Sequence, residues 1–210
     1  MTWSQRSRVR GVVTLIVATL GFALALALRD RVDPWRSTAA AAVASIALSA
    51  WALGPRLRGL FAITVRGAML AVGLGVGLVA ATHAGFQLIR TVSPGLAAAV
   101  GGLYASIDLG ASRPILALLT VIIVISEELV WRGVAIDVTS ERRSRVEVGA
   151  VSVALYVLPQ LPGHVPVLIA AATVMGGIFA AQRILTGRVT DPVLTHAIWS
   201  VAVFVVFPVS

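Results

Sequence analysis

Long apolar runs, rather than an alternation of apolar and polar positions, dominate the pattern of this chain. They cover 11–28, 37–54, 67–89, 115–136, 148–161, 165–181 and 192–207. A helix of about 20 apolar residues crosses the ~30 Å hydrocarbon core of a bilayer. The pattern therefore predicts an all-α fold, a polytopic transmembrane helical bundle of about 7 spans. The run 148–161 is short and is expected to extend back toward Arg145. The stretch 94–107 is also short, and Gly-rich. It is read as a re-entrant or interfacial segment, and the count rises to eight only if it crosses.

The first run follows Arg6, Arg8 and Arg10 and ends in Ala-Leu-Ala, which gives it the look of a signal peptide. Its apolar part is longer than the 7–15 residues of a signal h-region, so the expectation is an uncleaved first span. Gly73 and Gly77, spaced as GxxxG, and the pair Gly176–Gly177 are read as close-packing positions between helices. Trp3, Trp35 and Trp51 stand near span ends as interfacial anchors.

Composition removes the competing classes. Hydrophobic residues make up 58% and charged residues 12% of the chain, against roughly 25% charged in soluble domains. Mean hydropathy is +0.95. There is too little polar side chain to cover a water-facing surface, and with no cysteine there is no disulfide scaffold. Every one of the 17 basic residues is Arg. Arg without Lys, beside abundant Ala, Val and Gly, points to a GC-rich bacterial genome and a bacterial plasma membrane.

A net charge of +8 in a soluble domain would suggest nucleic acid. Here the Arg residues flank apolar spans and obey the positive-inside rule, so no nucleic-acid partner is expected. With seven spans and the N-terminus inside, the inner loops hold Arg6, Arg8, Arg10, Arg56, Arg58, Arg66, Arg142, Arg143, Arg145, Arg183 and Arg188. The outer loops hold Arg29, Arg31, Arg36, Arg90 and Arg113, and Arg132 lies inside a span. This favours an N-terminus in the cytoplasm and a C-terminus outside. Eight spans would reverse the bias in the second half.

One span is costly. Glu127, Glu128 and Arg132 lie within 115–136. Three charges cost roughly 9 kcal/mol near a helix centre, against about 6–7 kcal/mol returned by its Leu, Ile and Val residues. Such a helix is near neutral for insertion unless its charges are paired or wet, and ionisable groups inside a membrane are functional candidates. Glu128 and Arg132 stand at i and i+4 with Glu first, the favourable order for an ion pair. Glu127 points about 100° away and has no partner nearby in sequence. It suits a general base that deprotonates water. A buried ion-pair cluster that fixes helix packing is the other reading of the same three residues.

The segment Glu127-Glu128-Leu129-Val130-Trp131-Arg132 resembles the EExxxR motif of the CPBP family, the CAAX-protease and bacteriocin-processing membrane proteins also called Abi. Tyr156-Val157-Leu158-Pro159-Gln160 falls where that family has aromatic-xxx-His, and His196-Ala197-Ile198-Trp199-Ser200 where it has His-xxx-Asn. The resemblance covers about the last hundred residues. It divides the chain into N-terminal transmembrane helices without assigned function (1–110) and a CPBP-like catalytic-type core (111–210). It implies a glutamate-dependent intramembrane endopeptidase. Glu127 would activate water, Glu128 and Arg132 would support it, and His196 would bind the water.

Gln160 stands in the place of a family His, and Ser200 in the place of Asn. Gln holds water by hydrogen bonds but cannot be protonated and is a poor metal ligand. The resemblance leaves a divalent metal such as zinc open, while this donor set argues against a tight zinc site. The substitutions also motivate a different class, a catalytically inactive membrane scaffold, regulator or immunity protein. A transporter is disfavoured because the first half lacks matching charges or broken helices.

The expected partners are the lipid bilayer and a membrane-embedded or membrane-associated peptide or protein. Pro162-Gly163 is expected to place His164 in a loop. Counted from the inner span ends, Glu127, Ser200, His196 and Gln160 lie ~13, ~12, ~6 and ~18 Å deep. They are expected to meet in one cavity open to the cytoplasmic side. His83, about 24 Å up its span, is expected to stand apart from His196.

Overall fold

The computed structural model describes residues 4–107 and 112–209; Trp3 and the division at 110/111 lie outside the described residues. Among these residues the secondary structure is entirely helical. The chain runs through α1 (Gln5–Ala27), α2 (Pro34–Leu53), the short α3 (Arg56–Leu60), α4 (Val65–Val92) and α5 (Pro94–Ile107). It continues through α6 (Arg113–Thr139), α7 (Arg145–Gly163), α8 (Pro166–Thr186) and α9 (Thr190–Val206). Six of these, α1, α2, α4, α6, α7 and α8, are long and apolar enough to cross a membrane, and α9 is a shorter apolar helix. All seven expected runs are thus helices. The segment 94–107 is helical as well. At ~21 Å it falls short of a ~30 Å core.

Local chemistry sets the helix ends. Ser4 caps α1, accepting from Ser7 N at 3.1 Å. Asp33 caps α2 by accepting from Trp35 N and Arg36 N, with Pro34 preset as the first helical residue. Thr64 accepts from Gly67 N at the start of α4, and Ser144 with Glu147 forms a capping box on α7. Gly187, at φ 73°, closes α8 in the left-handed conformation that glycine adopts without a Cβ penalty. His164 sits exposed at φ 51° just after the 3-10 turn Leu158–Gly163 that ends α7.

α6 is the central helix. It packs against α1, α2, α7 and α9, and its π-helical stretch Glu128–Ala135 is buried at every position. Many large apolar residues of α1 and α4, such as Ile16, Leu20, Met69 and Leu70, instead face outward. That division is what lipid as a solvent requires. α9 runs beside α4 at close range: a Cβ on Gly75 would lie 3.0 Å from Ile198 and 3.2 Å from Thr195 O. Gly73 and Gly77, the expected packing pair, would meet nothing within 4 Å. The close face of α4 falls between the two glycines of the GxxxG pair, because the helix presents Gly67, Ala71, Gly75 and Leu78 to its neighbours. Of the other pair, Gly176 packs closely and Gly177 faces open space.

Candidate active site

Three helices bring the candidate residues together. α6 carries Glu127 and Glu128 at the point where its backbone changes from α to π geometry. Widened turns of this kind recur at functional sites. Ser152 on α7 donates to the Trp131 carbonyl at 2.8 Å, tying the widened stretch to its neighbour. α9 supplies His196 and Ser200 on one face, and the 3-10 turn at the end of α7 supplies Gln160. Glu127, Gln160, His196 and Ser200 all line one cavity of about 230 Å³.

The two carboxylates differ in setting. The Glu128 side chain is fully buried and its Oε1 accepts twice, from Arg132 Nη1 at 3.2 Å and from His196 Nδ1 at 2.9 Å. A carboxylate only accepts hydrogen bonds, so the proton of this contact sits on Nδ1 and His196 Nε2 is left as the acceptor nitrogen. Glu127 keeps 12% of its side chain exposed, toward the cavity, and its Oε2 lies 3.8 Å from His196 Nε2. That separation is too long for a direct hydrogen bond.

Arg132 is held from three directions. Besides Glu128, its Nη2 donates to the Gly176 carbonyl at 3.1 Å, and its guanidinium lies over the Tyr156 ring, 4.4 Å from the centroid. Gly176 is a glycine for a steric reason. A Cβ there would come 2.9 Å from Tyr156 Cδ1 and 3.3 Å from Arg132 Nη2. His196 is clamped by Phe179, whose ring stacks on it at 4.4 Å, and by Trp199 at 6.0 Å. Trp199 is fixed in turn by donating from Nε1 to Thr82 Oγ1 at 2.9 Å. His196 therefore has one well-defined ring position. His83 and His164 do not line this cavity.

The sequence places Tyr156 at the aromatic position of the second motif but assigns it no role. Its hydroxyl donates to Glu127 Oε2 at 3.4 Å, and the residue lines the cavity. The fold brings Tyr156 and Glu127 together across 29 positions of sequence and shows the contact.

The lining of the cavity extends toward one end of the bundle. Beyond Glu127 its walls pass Phe22, Leu26, Trp35 and Thr38 and reach Arg29, at the end of the bundle where α1 meets α2. Sequence assigned that end to the outside. Toward the opposite end, Leu53, Leu60, Leu129, Val134 and Val189 form a packed cluster. Depth along each helix gave the level of the residues but not which half of the bundle is filled.

Residues 110–202 match the family model described as type II CAAX prenyl endopeptidase Rce1-like. This part of the chain is Rce1-like. The match bears out the resemblance to the CAAX-protease family and spans Glu127, Glu128, Arg132, Tyr156, Gln160, His196 and Ser200. No curated protein and no solved structure matches the chain. The Rce1-like segment thus lies in an integral membrane protein, and Glu127, Tyr156, Gln160, His196 and Ser200 of its motifs line one cavity.

Proposed function

We propose that this protein is an intramembrane endopeptidase that hydrolyses a peptide bond with water activated by Glu127. The observation that carries the reading is the shared cavity of Glu127, His196, Gln160 and Ser200, with His196 fixed by Glu128. In the reaction, Glu127 takes a proton from water and the resulting hydroxide attacks the scissile carbonyl carbon. His196 Nε2 accepts a hydrogen bond from that water and holds it near Glu127. The hydroxyl of Ser200 and the amide N–H groups of Gln160 supply donors to the oxyanion. Collapse of the tetrahedral intermediate breaks the C–N bond, and Glu127 returns its proton to the leaving amine.

The donor set does not fit a catalytic zinc, which needs three protein ligands. Glu128 Oε1 is already engaged by Arg132 and His196, and Gln160 stands in a His position. The cavity offers Glu127 and His196 Nε2, one ligand short of such a site.

The exchange of His for Gln160 and of Asn for Ser200 favours a second reading, a scaffold, regulator or immunity protein without catalysis. Membrane-proteome N-termini in cells separate the two. Termini lost on deletion should return with the wild-type chain and not with Glu127→Gln. Equal restoration by Glu127→Gln would leave the scaffold reading in place.

A further inference from the structure

The two ends of the bundle differ in charge and in packing. One end holds the start of α1 and the α2–α4, α6–α7 and α8–α9 connections. It carries Arg6, Arg8 and Arg10 together with the Arg residues at 56, 58, 66, 142, 143, 145, 183 and 188, against five Arg at the other end. Arg-rich connections stay on the cytoplasmic side during insertion. This end is also tied shut. Arg8 pairs with Glu141, Arg183 with Asp137 at 2.8 Å and Arg188 with Asp191 at 2.7 Å, while Val189 N donates to Leu60 O at 2.8 Å.

The cavity leaves Glu127 in the other direction, between apolar walls of Phe22, Leu26, Trp35 and Phe204, and reaches Arg29 and Gln160. Gly163 holds the α7–α8 turn against the end of α1, where a Cβ would lie 2.7 Å from Leu26 Cδ2 and 3.5 Å from Arg29 Nη1. The wall residues Leu26, Arg29, Trp35, Thr38 and Gln160 are only half-buried, in contrast to the fully buried Trp131, Arg132 and Val134 on the opposite side of Glu127.

We infer that the candidate active site is entered from the extracytoplasmic face of the membrane, and that it takes an apolar peptide segment presented at that face. That the peptide is cleaved rests on the proteolytic reading; the side of access rests on charge and packing alone. A segment entering there passes the apolar walls before its backbone meets Glu127, so apolar side chains are matched along the path and the polar groups are kept for the scissile amide. Cytoplasmic chains have no route, since the Arg-rich end is filled by the Leu53–Leu60–Val134–Val189 cluster.

The chain has no cysteine, so a single introduced thiol reports its own side of the membrane. Val32→Cys lies in the exposed α1–α2 turn, Thr38→Cys on the cavity wall and Arg58→Cys at the exposed Arg-rich end. Full-length variants are treated in intact spheroplasts with a membrane-impermeant maleimide, then again after permeabilisation. Val32→Cys and Thr38→Cys should label in intact spheroplasts, and Arg58→Cys only after permeabilisation. The reverse pattern overturns the inference. Labelling of Val32→Cys with Thr38→Cys silent overturns it too, because the cavity would then be shut on that side. Leu26→Cys replaces Thr38→Cys if the latter does not accumulate. None of these outcomes involves cleavage, so they stand or fall separately from the proteolytic reading.

Discussion

Removing the Arg132 side chain tests whether the buried charges hold one another. In Arg132→Met the stem volume is kept, but Glu128 loses the guanidinium 3.2 Å from its Oε1. Glu128 is fully buried and its Oε2 already has no hydrogen-bond partner, so a lone carboxylate is left in a dry site with only His196 beside it. Breaking a buried pair from one side costs roughly 3–5 kcal/mol. In the double variant Glu128→Gln/Arg132→Met no charge is stranded. The remaining losses are the hydrogen bond to Gly176 O and the contact over Tyr156, together about 1–2 kcal/mol. The double variant should therefore be the more stable of the two by about 2 kcal/mol. Unfolding of purified protein in one detergent, followed by helical circular dichroism, measures both. A single variant as stable as wild type, or a double variant no better than the single, would refute the reasoning.

Other expectations follow from the same geometry. Gly176→Ala should destabilise by about 1–3 kcal/mol through forced displacement of Tyr156 and Arg132, while Gly177→Ala, with nothing within 4 Å, should leave the unfolding transition in place. Tyr156→Phe keeps the ring beneath Arg132 but removes the hydroxyl that reaches Glu127; cleavage should slow by about tenfold, the worth of one hydrogen bond to a charged group at the low end of its range, with the melting transition of wild type. A chelator such as EDTA should leave the cleavage rate unchanged, and a loss restored by added zinc would contradict the two-donor reading of the cavity.

Much of the architecture was legible because the bilayer imposes a length. Runs near 20 apolar residues have few alternatives, and each of the seven became a helix. Glu127, Glu128 and Arg132 were legible for the opposite reason, since charge within such a run is costly and has to be explained. What stayed hidden depends on long-range contacts. His196 reaches Glu128 across 68 positions, and the phenol of Tyr156 reaches Glu127 across 29. Neither leaves a periodic trace. The π-helical stretch around Glu128–Ala135 has no composition of its own, and α3 is too short to register as an apolar run. The GxxxG pair shows the limit of a local pattern. Gly73 and Gly77 have the right spacing, but the face of α4 that packs is set by Ile198 and Thr195 and falls on Gly75.

The central claim is that Glu127 is the base of a hydrolytic site. The direct measurement is the rate at which purified wild-type protein and Glu127→Gln release new termini from a membrane-proteome peptide library, read by mass spectrometry. Glu127→Gln is nearly isosteric and keeps a partner for the Tyr156 hydroxyl, so folding should survive. A general base contributes typically ~10²–10⁴-fold, and a fall of that size is the predicted result. Cleavage by Glu127→Gln at the wild-type rate would contradict the account.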